Sequence, residues 1–263
     1  MNAPLKILFV SPEVQPFAKT GGLGDISRSL PTALKKMGHD VRVIMPKYQS
    51  MDRFDSSFKE LDIPPVDVTL DKAKTKGFLY EGTLEPDTPI YFVRNDPYFY
   101  RENLYSESYL EYPDNAERFI FFSRAVLEAC KSLDFQPDII HGNDWQTGLI
   151  FAYLKSVYAA DKFFKDTGTV FSIHNLGYQG NFSADDYPLT GLPDELFKME
   201  GIEFYGDFSF LKAGLLYADV LTTVSQTYSR EILTPENGFG MEGVLRQRQK
   251  DLYGILNGAN YDE

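Results

Sequence analysis

Cysteine is almost absent. Cys130 stands alone among 263 residues, so no internal disulfide can form. It falls in an apolar stretch with helical spacing, which predicts a buried, unreactive thiol. Long apolar runs are missing too. No stretch approaches the ~20 apolar residues needed to span a bilayer. The start MNAPLKILFVS is too short an apolar segment for a secretion signal, so the cytoplasm is the expected compartment. Basic residues are scarce, 26 against 38 acidic ones, for a net charge of -12. That balance argues against nucleic acid or an anionic membrane as partner, and an anionic small substrate would need a local positive site. The three histidines, His39, His141 and His174, share no metal-ligand spacing. With one cysteine, neither a zinc site nor another metal site is expected. No repeat, no low-complexity segment and no Gly-x-Ser-x-Gly nucleophile motif occurs.

What is present reads as alternating strands and helices. Lys6 to Ser11 is a short apolar run ended by Ser-Pro, which predicts a buried strand. From Asp25, apolar residues recur at Ile26, Leu30, Leu34 and Met37, a helical pattern closed by Gly38. Pro31 inside it predicts a kink or a restart. Asp40 to Met45 alternates as a second strand, completing a βαβ unit. VDVTL, KGFLYEGTL and IYFVR are further short strands, followed by an aromatic segment with Tyr98, Phe99, Tyr100, Tyr105, Tyr109 and Tyr112. Such a segment either caps a core edge or meets a flat ligand. Asp114 to Cys130 predicts a helix whose apolar stripe is Phe119, Phe122, Val126 and Ala129, with Glu117, Arg118, Arg124 and Glu128 off it. Strands follow at 138–141, 169–173 and 219–224, with a helix reaching about Ala159. The class is α/β: a Rossmann-like, mostly parallel sheet with helices on both faces.

Polar residues collect where three strands end. The first strand leads to Glu13 and then to Lys19-Thr20-Gly21-Gly22-Leu23-Gly24-Asp25. The second set is Asn143, Asp144 and Trp145, the only tryptophan; the third is His174 and Asn175. In a parallel sheet these lie on one edge, where ligands bind. The glycine stretch is neither a P-loop nor a dinucleotide fingerprint. It is either a plain turn with a solvated lysine or an anion site built from bare backbone, a helix N-terminus and the Lys19 cation. Asp144 beside Trp145 is either a carbohydrate contact or a helix cap next to a core tryptophan, and local sequence favours the cap. His174 is either a ligand or acid/base group or a satisfied strand-end histidine.

The blocks KTGGLGD, YPDNAERF, HGNDWQTG, IHNLGYQG, ADVLTTVSQTY and GILNGANYDE, in that order, resemble the family 5 retaining glycosyltransferases, the bacterial glycogen and plant starch synthases. The resemblance covers essentially the whole chain. It implies that residues 1–263 are the N-terminal, acceptor-side half of a two-domain GT-B fold ending at the interdomain hinge, with the C-terminal nucleotide-binding domain absent. It implies transfer of glucose from ADP-glucose to the non-reducing end of an α-1,4-glucan, glycogen or a maltooligosaccharide, with retention and without metal or cofactor. Carried over by motif, Asp144 and His174 are the catalytic candidates. Lys19, Gly21, Gly22, Asp25, Tyr105, Trp145 and Asn175 are the substrate-binding ones. Family members commonly carry Asp where Asn260 stands, which bears on the hinge. Two alternatives stand beside this reading: a self-contained glucan-binding or regulatory module, and a related transferase using UDP-glucose.

Overall fold

The structure is a computed structural model, and it describes residues 3–84 and 86–258; Asn260 lies outside them. Its frame is a ten-stranded sheet. In chain order the strands are β1 (Lys6–Val10), β2 (Asp40–Pro46), β3 (Lys59–Glu60), β4 (Val66–Leu70), β5 (Ala73–Leu84), β6 (Thr88–Arg94), β7 (Ile139–Asn143), β8 (Gly168–Ile173), β9 (Val220–Thr223) and β10 (Leu252–Gly254). The spatial order is β10-β9-β8-β7-β1-β2-β6-β5-β3, with β4 also paired to β5. From β10 through β6 every pairing is parallel. The edge beyond β6 is antiparallel. The chain winds one way from β1 to β2 and the other way through β7, β8 and β9. The strand order therefore reverses between β1 and β7, the place where such sheets bind ligands.

The main helices are α1 (Gly22–Lys36), α2 (Asn115–Ser132), α3 (Leu149–Lys155), α4 (Phe210–Tyr217) and α5 (Glu242–Gln247). They cover both faces, and the pleat of β8 shows how. Phe171 points to one face, where its ring meets Phe151 of α3 at 5.3 Å. A Cβ on Gly214 of α4 would lie only 2.5 Å from that ring, so α4 packs close because this residue is glycine. Val170 and Ser172 point the other way, into a cleft of about 1100 Å³ that also runs along α1.

Three expectations change. The glycine stretch is not a loop ahead of the helix: α1 starts at Gly22, three residues before Asp25, and Gly21 is its N-cap. Helix α1 then runs through Pro31 without a restart, with Leu23, Gly24, Ser27 and Pro31 buried. The helix expected to reach Ala159 ends at Lys155. There the Ser156 and Tyr158 N–H groups both turn back to the Tyr153 carbonyl, at 3.2 and 2.9 Å, which breaks the i→i−4 pattern. Cys130 is buried as expected, and burial pushes its thiol up to about 12, which leaves it inert.

Trp145 lies against Phe119 of α2, Phe182 and Phe210 of α4, at centroid distances of 5.0, 5.6 and 5.8 Å. Gly180 has φ +56, and a Cβ there would stand 2.3 Å from the indole. Gly180→Ala should therefore cost at least about 2 kcal/mol, from left-handed strain plus a clash with a packed ring. It should also shift the emission of the only tryptophan; a variant that melts and fluoresces like the parent would refute this packing.

Candidate active site

The segment after β1 is organised by a carboxylate. Glu13 is buried, with 4% of its surface exposed. It accepts the Thr20 N–H at 2.5 Å, the Thr20 hydroxyl at 2.6 Å and the Tyr105 hydroxyl at 2.9 Å, with the Gly21 N–H at 3.4 Å. The residues just before α1 are thus bound to an internal anion. The Gly22 and Leu23 N–H groups belong to the first turn, which helix geometry leaves without intrahelical acceptors. A Cβ added at Gly21 or Gly22 would meet nothing within 4 Å, and neither residue has a left-handed φ. Internal packing does not require glycine there, so the backbone at both positions is left open to the outside. At Gly24 the reason differs: a Cβ would press on Lys19 Cγ at 2.9 Å.

Lys19 lies across that first turn. Its ammonium donates to both Asp25 oxygens, at 2.7 and 2.6 Å, with the side chains 42% and 50% exposed. An exposed pair of this kind contributes about 0–1 kcal/mol. An arriving anion can therefore take over the lysine at small cost.

Tyr105 reaches Glu13 because a buried arginine shapes the aromatic segment. Arg118 was expected off the apolar stripe of its helix, yet it is 0% exposed. Its guanidinium donates to the Tyr98 carbonyl at 2.6 Å, the Leu104 carbonyl at 2.9 Å and Asn115 Oδ1 at 2.6 Å. Asn115 in turn donates to the Tyr105 carbonyl at 3.0 Å. These neutral acceptors make burial of the charge tolerable. The aromatic segment is accordingly split. Tyr98 and Phe99 are core, Tyr105 joins the site, and Tyr109 is fully exposed.

Asp144 follows β7 in an unusual backbone state, φ +55 and ψ 178. That region is nearly reserved for glycine and costs on the order of 1–3 kcal/mol. The expected side-chain cap is not formed. Instead the Asp144 N–H donates to the Ser172 carbonyl, and its carboxylate accepts the His174 N–H at 2.8 Å. The Asn175 N–H also points at it. These donors favour the anion, but desolvation by the surrounding protein outweighs them, aided by the Glu13 charge, and pushes Asp144 up to about 7.

His174 follows β8. Its Nε2 faces Asn143 Oδ1 at 3.0 Å, and the Asn143 amide nitrogen donates to the Val10 carbonyl at 2.9 Å. That second bond fixes the amide, so the oxygen is the atom facing His174. Nε2 therefore carries the proton and Nδ1 the lone pair. Burial holds the ring down at about 4, neutral at physiological pH. Asn175 is exposed, and its Oδ1 accepts the Gly177 N–H at 2.9 Å. Trp145 is the core anchor of this edge rather than a free face. Among the described residues, no group of three His, Cys, Asp or Glu side chains is placed to hold a metal ion.

Lys19, Gly21, Gly22, Asp25, Tyr105, Asp144 and His174 thus border the switch point, with Glu13 and Asn143 as the residues that connect them. Glu13 follows β1, and Asn143 is the last residue of β7. Nothing in the local pattern marks them as connectors, since their partners are distant in the chain.

The fold is the Rossmann-like unit of the GT-B glycosyltransferases. Residues 6–247 match the family model described as starch synthase catalytic domain, and the chain belongs to that family. It is 49% identical to a glycogen synthase from Syntrophotalea carbinolica over 97% of this chain and 52% of that protein. It is 47% identical to a glycogen synthase from Thermotoga maritima over 98% and 53%. The solved catalytic domain of starch synthase IV from Arabidopsis thaliana, bound to ADP and acarbose, superposes with a TM-score of 0.90 at 33% identity. It is covered over 53% of its length and this chain over 99%. The chain spans about half the length of the relatives it matches.

Two measurements test this geometry. An unfolded aspartate ionises near 3.8, and folded Asp144 near 7. Its contribution to stability is therefore fully present below about pH 4 and is lost as pH rises through 7. The depressed His141 and His174 work in the opposite sense: their contribution is lost as pH falls from about 6.5 toward 4. Asp144→Asn, which cannot ionise, should melt progressively higher than the parent between pH 5.5 and 7.5, with a constant gap above; a gap that narrows with rising pH contradicts the assignment. Arg118→Leu, which strips three acceptors of their donor, should lower stability by at least about 3 kcal/mol in urea unfolding. A loss below about 1 kcal/mol would mean that the arginine does not hold the segment.

Proposed function

We propose that this chain is the N-terminal, acceptor-side half of a glycogen or starch synthase. It works with a second, nucleotide-binding Rossmann-like domain to move glucose from ADP-glucose to the non-reducing end of an α-1,4-glucan with retention. The observation that carries the reading is the open backbone at Gly21 and Gly22, beside the weakly held Lys19 cation and the first turn of α1. Such a corner suits the diphosphate of a sugar nucleotide, and it stabilises the charge that grows on the leaving group as the glycosidic bond breaks. The family relationship and the ADP and acarbose held by the starch synthase IV structure support the same choice.

The remaining roles follow from chemistry. Neutral His174 presents the Nδ1 lone pair as an acceptor for a sugar hydroxyl, and its main chain is pinned by Asp144. Asp144, poised near neutrality, accepts a hydroxyl proton or a hydrogen bond close to the reacting sugar. Tyr105 and Glu13 hold the segment before α1 in register with both. In this reading glucose transfer belongs to the two halves together, with the second domain supplying most of the donor contacts. The cytoplasm is the proposed compartment; no helix among the described residues is long and apolar enough to cross a membrane.

The test is to join this chain to the second half of the Thermotoga maritima relative. Transfer of labelled glucose to glycogen is then assayed with ADP-glucose and UDP-glucose in parallel. The chimera should use ADP-glucose, Lys19→Ala should weaken donor use by about tenfold or more, and His174→Ala should lower turnover by about a hundredfold. A folded chimera without transfer from ADP-glucose overturns the reading, and preference for UDP-glucose overturns the donor assignment.

A further inference from the structure

His174 is not part of the strand that delivers it. Strand β8 ends at Ile173, and residues 174–178 follow outside any strand or helix. The Asp144 carboxylate holds the His174 N–H at 2.8 Å, and Asn143 holds the ring at 3.0 Å. Both of these holds come from the β7 side. The main chain on either side of His174 and Asn175 must be fixed by other groups.

Two hydroxyls from the β9 side fix it. Thr223, the last residue of β9, donates its hydroxyl to the Ile173 carbonyl at 2.8 Å. The Tyr228 hydroxyl accepts the Leu176 N–H at 3.1 Å. The first contact falls just before His174 and the second just after Asn175, so together they bracket the pair. Leu176 is buried, and its N–H needs a protein acceptor. Phenylalanine at position 228 would fill nearly the same space; what the hydroxyl adds is that acceptor.

The segment carrying the two hydroxyls is itself held in place. The Tyr228 N–H donates to Ser225 Oγ at 2.9 Å, at the start of the short helix Tyr228–Glu231. Strand β10 lies against the same turn. Gly254 pairs with Thr223, and the Ile255 N–H donates to the Thr223 carbonyl at 2.8 Å. A Cβ on Gly254 would stand 2.3 Å from the Ser225 carbonyl oxygen and 2.6 Å from the Gln226 nitrogen. Glycine is what lets β10 seat so close to this turn.

We propose that Tyr228 and Thr223 are positioning residues for His174, clamping the turn that presents its imidazole to the sugar. The inference rests on the transferase reading and extends it to two residues that touch no substrate in that reading. A turn released on this side would let the Nδ1 lone pair drift from the reacting sugar, and misplacement of that kind slows turnover. Donor binding at Lys19 and the first turn of α1 would be left as it is.

The experiment uses two variants. Tyr228→Phe removes the acceptor and keeps the ring; Thr223→Val removes the donor and keeps the branched shape. Exchange of the His174 Nε2 proton with water is measured by nuclear magnetic resonance on the chain with isotope-labelled histidine. His141 is the internal reference, since its Nε2 faces Ser172 Oγ at 2.7 Å inside the sheet. Each variant should speed exchange at His174 about tenfold or more and leave the His141 ring signals unchanged, because only the turn is opened. In the chimera of the transfer assay, each should lower kcat about tenfold with the KM for ADP-glucose changed by less than about twofold. Unchanged exchange at His174 in folded variants overturns the clamp. Equal acceleration at His141 also overturns it, since that is general loosening of the fold. So does a kcat that stays at the parent's level while exchange quickens. A parent chimera without transfer is the failure of the transferase reading, and the exchange measurement on the chain alone then decides whether the clamp exists.

Discussion

The Glu13 carboxylate joins three segments that the sequence keeps far apart. Its oxygens hold the residues before α1, the hydroxyl of a tyrosine ninety-two residues later, and an electrostatic influence on Asp144 across the strand-order switch. A buried carboxylate survives only when donors replace its water, and here the Thr20 N–H, the Thr20 hydroxyl and the Tyr105 hydroxyl do so. The geometry of the edge follows from that requirement. Gly21 and Gly22 stand with open space beside them, next to Thr20, which is pinned to Glu13. Tyr105 stands at the site because its hydroxyl is one of the donors.

The supporting parts are graded by strength. The buried network around Arg118, Asn115 and Glu13 is satisfied and enclosed, so it is rigid. The Lys19–Asp25 pair is exposed and weak, so it can be exchanged for a ligand. Asp144 and His174 lie between these limits. Their main chains are locked by hydrogen bonds, while enclosure keeps both near their neutral forms. On the proposed reading the site takes an anion and a neutral sugar, and that requires this division: a fixed frame, a releasable cation, and polar groups that carry little net charge of their own.

Much of this was legible along the chain. The strands that lead to Glu13, Asp144 and His174, the parallel class, and the arrival of those trailing residues on one edge follow from period, turn residues and the rule for parallel sheets. The family motifs sharpened the candidate residues. Local patterns misled where a side chain found a distant partner. Asp144 read as a cap, but its carboxylate turns to the main chain after the neighbouring strand. Arg118 read as lying off the apolar stripe, but it is buried, and carbonyls from the aromatic segment enclose it. The glycine stretch read as a loop, but it is the first turn of α1.

The sequence by itself determined the periodicities, the positions where glycine or proline restricts the backbone, and the chemical groups at the ends of the strands. These depend on a residue and its near neighbours. Only the tertiary structure decided which charges are paired, which are buried, and which aromatic rings are left in water. Those properties depend on the dielectric and on partners brought close by folding, such as Tyr105 and Glu13 or Asn143 and His174. No local rule can supply the distance between residues that meet only when the sheet closes.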